Sequence, residues 1–133
     1  MVNITNELIN DINNKCKNNW KLDISYYIFH KEKTLIKRIK LDEQNYLEFA
    51  LRYNCKNQVS LHISKFYQEK GDNYASTSGM GKIKILDITQ FKRKNINNLI
   101  SFTNDLDDEK LLEINEKTKT ANGYGLIMKS EDF

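Results

Sequence analysis

Residues 47–64 read LEFALRYNCKNQVSLHIS, and this stretch decides the fold class. Apolar and polar side chains alternate along both of its halves, with a polar segment at 54–57 between them. The apolar positions are Leu47, Phe49, Leu51 and Tyr53 in the first half, and Val59, Leu61 and Ile63 in the second. Successive side chains of a strand point to opposite faces, so a period of two indicates half-buried strands. The stretch therefore predicts two antiparallel strands joined by a short turn.

The same period continues on both sides of this hairpin. It covers 22–29 and 35–41 on the N-terminal side, with a polar turn at 30–33 between them, and a short fifth strand is expected at 82–86. Segment 42–54 also admits a helix capped by Asp42, but alternation over four apolar positions favours a strand. Together these segments predict an antiparallel meander of four to five strands.

Apolar side chains at helical spacing flank the predicted sheet. One stripe consists of Ile4, Leu8, Ile9, Ile12 and Cys16, which predicts a helix over 4–18. A second helix is expected at 89–104 and a last short helix after a cap at 105–108, ending at Lys117. Residues 69–81, rich in glycine and small polar residues, predict a loop. The fold class is therefore α+β in a single domain over 1–133, with helices on one face of the sheet and the other face partly open.

Composition narrows the class of protein further. The 133 residues carry a net charge of +3, contain two cysteines and no proline, and include no apolar run long enough to span a membrane. The N-terminus lacks the features of a signal peptide, so a cytoplasmic location with Cys16 and Cys55 reduced is expected, although a bridge between them stays open. Lysine, asparagine and isoleucine make up 50 residues. AT-rich codons produce this bias, so the composition indicates a low-GC bacterium or one of its phages or plasmids.

The charge is unevenly distributed along the chain. Residues 15–94 carry a net charge of +9, whereas residues 95–133 carry −4. The open sheet face is expected to present the basic, histidine and aromatic side chains Tyr27, Phe29, Arg38, Lys40, Arg52 and His62. Two further candidate binding groups are the basic run Lys92, Arg93 and Lys94 and the acidic run Asp105, Asp107, Asp108 and Glu109. Such groups can bind an anionic or a cationic partner, or they can simply be a solvated surface.

Several catalytic motifs fail when their spacing is examined. Gly79-Met80-Gly81-Lys82 lacks the earlier glycine and the Ser or Thr after lysine that a P-loop requires. The two cysteines and two histidines form no pair at metal-chelating spacing, so neither a metal nor another cofactor is expected. His62-Ile63-Ser64 resembles the H-x-S/T element of two-histidine phosphoesterases, but that fold needs a second such element, which His30-Lys31-Glu32 does not supply.

These observations favour a binding protein over an enzyme. The first hypothesis is a non-enzymatic inhibitor from a phage or mobile element that docks on a larger protein or ribonucleoprotein, such as an anti-CRISPR-like inhibitor of a host defence nuclease complex. A toxin-immunity protein is closely related. The second hypothesis is a nucleic-acid or nucleotide binder that uses the basic sheet face. A small hydrolase centred on His62 ranks last. A homodimer is compatible with the open sheet face, and no membrane partner is expected.

Overall fold

The α+β class is confirmed by a computed structural model, which describes residues 6–53, 58–69, 71, 76–87, 96–120 and 127–129. The elements are α1 (Asn6–Lys15), β1 (Lys21–Leu22), α2 (Ile24–His30), β2 (Leu35–Lys40), β3 (Asn45–Tyr53), β4 (Gln58–Tyr67), β5 (Ser76–Asp87), α3 (Ile96–Thr103), α4 (Asp108–Thr120) and β6 (Ile127–Lys129). An N-terminal helix, an antiparallel meander and two C-terminal helices occur in the predicted order. The predicted turn at 54–57 and the predicted helical residues 89–95 lie outside the described residues.

Among the described residues, the sheet has six strands in sequence order. Neighbours from β1 to β5 are antiparallel, and β6 returns parallel to β5 after the two C-terminal helices. The strand over 42–54 is confirmed as β3, and Asp42 closes the turn before it instead of capping a helix. Its carboxylate Oδ1 accepts the backbone N–H groups of Gln44 and Asn45, both at 2.8 Å. The hydrogen bond from Gln44 is the main reason that the pKa of Asp42 lies below its usual value.

The predicted strand at 22–29 is wrong beyond its first residue, because the chain turns into α2 after two residues of β1. Asp23 caps this helix by accepting the backbone N–H of Tyr26 at 3.1 Å. Lys31 ends it in the left-handed conformation, with a φ of 56° and its N–H bonded to the Tyr27 carbonyl. The alternating pattern also places Ile24 and Ile28 four residues apart, so it fits a short helix once Asp23 supplies the cap.

Two further expectations differ from the structure near the C-terminal half of the sheet. The expected loop at 69–81 is partly strand, since β5 begins at Ser76 and contains Gly79 and Gly81. Gly81 pairs with Ile63 of the long strand β4, so backbone pairing with β4 overrides the low strand propensity of glycine. The fifth strand, expected at 82–86, is correspondingly longer, and residues 127–129 form β6 on the outer edge of β5.

The apolar core lies on one face of the sheet. Alternate residues of β2, β3 and β4 point to this first face, and α1, α3 and α4 cover it. The core side chains of the sheet are Leu35, Ile39, Leu47, Phe49, Leu51, Tyr53, Val59, Leu61 and Ile63, and those of the helices include Ile12, Leu99, Leu111 and Ile114. The alternation of apolar and polar residues thus gives the sheet one apolar face, which the helices cover, and a second face that these helices do not cover.

Trp20 lies between α1 and β1 and contacts the turn between α3 and α4. Its side chain is 1% exposed, and its indole Nε1–H donates a hydrogen bond to the Leu106 carbonyl at 2.9 Å. The preceding residues reinforce this contact, because the amide of Lys17 donates to the Thr103 hydroxyl at 3.2 Å and the Asn18 side chain donates to the Thr103 carbonyl at 2.6 Å. Asn18 has a φ of 62°, which asparagine tolerates better than most residues. We call this set of contacts the Trp20 clasp.

Replacing Trp20 by Phe should lower the free energy of unfolding by about 2–4 kcal/mol. The substitution leaves the buried Leu106 carbonyl without its indole donor and also reduces the buried ring. Urea denaturation followed by far-ultraviolet circular dichroism measures the change, because Trp20 is the sole tryptophan and its fluorescence is lost in the variant. A Leu112→Ala variant is the control, since this exposed side chain should contribute less than about 0.5 kcal/mol. Equal loss in both variants would contradict the role of the clasp.

Candidate functional site

The strand register brings four of the predicted binding residues to the second face of the sheet. Arg38 pairs with Glu48 across β2 and β3, Arg52 pairs with Ser60, and His62 pairs with Ala50. These positions alternate with the buried ones, and Lys40 follows Arg38 in the same phase. Lys21 of β1 pairs with Ile36 and lines a shallow hollow with Arg38. We call Lys21, Arg38, Lys40, Arg52 and His62 the basic face.

Two aromatic rings on the same face were not among the predicted binding residues. Tyr46 and Phe66 are cross-strand partners, and their rings stack with centroids 5.0 Å apart and an angle of 5° between the planes. Arg38 lies over the Tyr46 ring, with its Cζ atom 5.5 Å from the centroid. Both rings follow the phase of the basic face, so their positions in the alternating pattern could have identified them. We call Tyr46 and Phe66 the aromatic pair.

Arg52 connects the basic face to α2. Its Nη2 atom lies 3.0 Å from Nδ1 of His62, and its guanidinium lies 5.2 Å from the centre of the Tyr26 ring. Arginine has no acceptor, so His62 accepts at Nδ1, and its neutral form carries the ring proton on Nε2. Tyr26 in turn stacks on His30, with 4.4 Å between the ring centres. Both histidines of the chain therefore belong to one series of contacts that orients Arg52.

The short helix α2 exposes its most apolar side. Tyr26 contacts Arg52 on the second face, whereas Tyr27 lines a hollow with Tyr53 of the first face, so the helix lies across the end of the sheet. The opposite side of the helix presents large apolar side chains to solvent: Ile24 is 40% exposed, Ile28 58% and Phe29 80%. We call these three residues the α2 ridge. The predicted position of Tyr27 and Phe29 on a sheet face is thus wrong, because both lie on this helix.

The acidic candidates lie at the turn that leads into α4, and the structure gives two of them internal partners. Asp107 accepts the backbone N–H of Lys110 at 2.9 Å, which is the capping role expected for this segment. Asp108 forms an ion pair with Lys37, whose side chain is only 7% exposed on the first face and also donates to the Asn18 carbonyl. Asp105 and Glu109 are exposed. The basic candidates Lys92, Arg93 and Lys94 lie outside the described residues.

Other groups that carry chemistry are dispersed. Within the part of the chain that the structure describes, no three His, Cys, Asp or Glu side chains come together in a group able to hold a metal ion. Among the same residues, no helix is long and apolar enough to cross a bilayer. Cys16 is a free thiol whose burial raises its pKa to about 11, so it is protonated and unreactive at neutral pH. Cys55 lies outside the described residues.

No protein-family model matches the chain, and neither a curated protein nor a solved structure matches it. Its function is therefore inferred from the geometry and charge of its surfaces.

Replacing Asp108 by Asn should destabilise the protein by about 1–2 kcal/mol, because it removes the anionic partner of the buried Lys37 ammonium. The effect is smaller than the loss of about 3–5 kcal/mol that follows when one partner of a fully buried ion pair is removed, because the Asp108 side chain is 63% exposed. The neighbouring variant Glu109→Gln is the matched control and should change the free energy of unfolding by less than about 0.5 kcal/mol. Chemical denaturation of both variants measures the difference, and equal stabilities would contradict a structural role for Asp108.

Glu48 is the acidic group within the basic face. Its side chain is 17% exposed and lies 3.8 Å from Arg38. Burial raises the pKa of Glu48, the nearby Asp23 raises it further, and Arg38 partly offsets both effects. A carboxyl with a raised pKa in the folded state stabilises the fold below its unfolded pKa, and this contribution is lost as the pH rises through the folded value.

Glu48→Gln should therefore be more stable than the wild type at pH 7, and the difference should shrink as the pH falls towards about 4. Urea denaturation at pH 4, 5, 6 and 7 measures this change. The control is Glu43→Gln, because this exposed carboxylate should leave the pH dependence unchanged. A loss of stability at neutral pH in the Glu48 variant would show that the ion pair with Arg38 outweighs the cost of burial.

Proposed function

We propose that this chain is a non-enzymatic binding protein that docks on a larger protein or ribonucleoprotein through the α2 ridge. The observation that carries this proposal is the exposure of Ile24, Ile28 and Phe29 on one short helix. Large apolar side chains clustered at a surface are typical of protein-protein contacts, whereas apolar residues exposed singly need no explanation. Phe29 is the most exposed of them, so it is the expected anchor of the interface.

The local fold supports α2 as a rigid docking element. The Asp23 cap fixes one end of the helix, and the left-handed Lys31 fixes the other. Between these ends, Tyr26 contacts Arg52 of β3, while Tyr27 lines the hollow beside Tyr53 at the end of the same strand. A helix held in this way presents its ridge without the ordering cost that a flexible loop would pay on binding.

Charges around the ridge indicate the character of the partner. Lys31 and Lys33 follow the helix directly, and the acidic residues Asp23 and Glu32 lie at its two ends. An interface of this kind has an apolar centre and a polar rim of mixed charge. The complementary surface is an apolar groove whose rim carries charges of both signs, and matching of the charges on the two rims favours the correct orientation.

Phe29 should cross-link to the partner when it is replaced by a photoreactive benzoylphenylalanine and irradiated in cells that naturally carry the gene. The same substitution at Leu112 on α4 is the control, because this side chain is also apolar and exposed. With the purified partner, Phe29→Ala should weaken binding about tenfold or more, and Leu112→Ala should leave it within about twofold. Equal cross-linking from both sites, or an unchanged affinity for Phe29→Ala, would overturn the proposal.

The more specific proposal is inhibition of a host defence nuclease, in the manner of an anti-CRISPR protein. Its support is the codon-driven composition of the chain, which indicates a low-GC phage or plasmid. Adding the purified protein to such a nuclease should suppress target cleavage, and Phe29→Asp should restore it. A nuclease that binds the protein and still cleaves at the full rate would eliminate inhibition while leaving docking intact.

A further inference from the structure

We propose that the basic face and the aromatic pair bind a single strand of nucleic acid. The inference does not depend on docking through the α2 ridge, because it concerns the second face of the sheet and different side chains. Its central observation is the juxtaposition of two stacked rings, Tyr46 and Phe66, with the exposed cations Arg38 and Lys40.

The aromatic pair is available for stacking. Neither Tyr46 nor Phe66 belongs to the core cluster, and both are partly exposed on the face opposite α1, α3 and α4. Their planes are nearly parallel and the rings stack on each other, so a base can stack on the outer face of Phe66, which points away from Tyr46. Bases stack on such rings, and every base has a π-face, so recognition of this kind tolerates different sequences. A duplex keeps its bases stacked on each other, which favours a single strand here.

Two exposed cations lie beside the aromatic pair, where they can contact a phosphate backbone. The Arg38 guanidinium covers part of the Tyr46 ring, and Lys40 is the register partner of Tyr46. Their side chains are 60% and 65% exposed, and their ion pairs with Glu48 and Glu43 are 3.8 Å and 3.4 Å long. The Lys40–Glu43 pair is exposed on both sides and contributes little, so a phosphate oxygen can replace the Glu43 carboxylate. Glu48 is only 17% exposed, and the 60% exposed Arg38 side chain can bind a phosphate beside it.

The path of the nucleic-acid strand over the sheet follows from the distribution of charge. Asp42 and Glu43 occupy the β2–β3 turn and repel phosphates from that end of the sheet. On the other side, Lys21 and Arg38 line a shallow hollow beside Ile36. A nucleic-acid strand with one base stacked on Phe66 therefore runs past Arg38 towards Lys21, across the strands of the sheet and away from the acidic turn.

Fluorescence anisotropy with labelled oligonucleotides of about 12 nucleotides tests the inference. The probes are oligo(U), oligo(dT) and a duplex of the same length. At about 50 mM salt, one or both single strands should bind with micromolar affinity and more tightly than the duplex. With Lys21, Arg38 and Lys40 each contacting one phosphate, log K should fall with log salt at a slope of about −2. Comparison of oligo(U) with oligo(dT) then shows whether the RNA or the DNA probe is bound more tightly.

Single substitutions separate stacking from charge. Phe66→Leu should weaken binding at least about fivefold without changing the salt slope, whereas Tyr46→Phe should retain the wild-type affinity. Lys21→Gln and Lys40→Gln should each reduce the slope by about 0.7. Lys15→Gln is the matched control, because this exposed lysine lies on α1 away from the second face. Phe29→Ala should leave oligonucleotide binding unchanged, which distinguishes this surface from the α2 ridge.

Three results would overturn the inference: no single-strand binding at low salt, a duplex that binds as tightly as the single strands, or an unchanged affinity for Phe66→Leu. A thermal melt of each variant shows whether it is folded. If Phe66→Leu does not fold, Lys40→Gln decides alone, because its side chain is solvent-exposed and its loss does not disturb the core.

Discussion

The hydrogen bond from the Trp20 indole to the Leu106 carbonyl is the contact on which the layered arrangement depends. A helix corner leaves carbonyl groups without partners inside the helix, and a buried corner must find donors elsewhere. Trp20 supplies one such donor from a position 86 residues earlier in the chain, together with a large apolar ring. Lys37 reaches the start of α4 from the sheet and brings a buried ammonium to Asp108. The polar contacts thus fix where α3 and α4 sit, while the apolar core supplies most of the stabilisation.

Because the helices cover the first face of the sheet, this packing determines which side chains remain available for binding a partner. The first face uses nearly all the large aliphatic side chains of β2, β3 and β4 against the three packed helices. The second α-helix of the chain, α2, lies across the end of the sheet on two tyrosines, and its side chains Ile24, Ile28 and Phe29 stay 40%, 58% and 80% exposed. A partner that fully covers Phe29 or Ile28 gains about 1.5–3 kcal/mol for each. The side chains of the α2 ridge therefore remain available for binding a partner, because the fold itself leaves them exposed.

The sequence was sufficient to predict strands and their shared face where one physical signal, the alternation of apolar and polar residues, dominated. Alternation over 47–64 predicted β3 and β4, and the shared phase of Arg38, Lys40, Arg52 and His62 predicted their common face. It failed at 22–29, because seven residues satisfy strand alternation and helical i,i+4 spacing equally well, and the Asp23 cap decides between them. The pairing of Gly81 with Ile63 was also beyond prediction, since a long neighbouring strand recruits residues of low strand propensity. The ion pair between Asp108 and the buried Lys37 could be found only from the position of Lys37 in three dimensions.

The two proposed surfaces are physically connected through Arg52. Its guanidinium donates to His62 on the basic face and lies over Tyr26 of α2, whose opposite side presents the ridge. A partner that contains both protein and nucleic acid offers an apolar groove and a phosphate backbone within one assembly, and a ribonucleoprotein is such a partner. The chain would then bind it with two unlike contacts of modest strength, held at a fixed distance by one rigid sheet. Two linked contacts give a higher effective affinity than either one alone, provided that their spacing matches the partner. The distance between the α2 ridge and the aromatic pair thereby becomes a determinant of specificity in its own right.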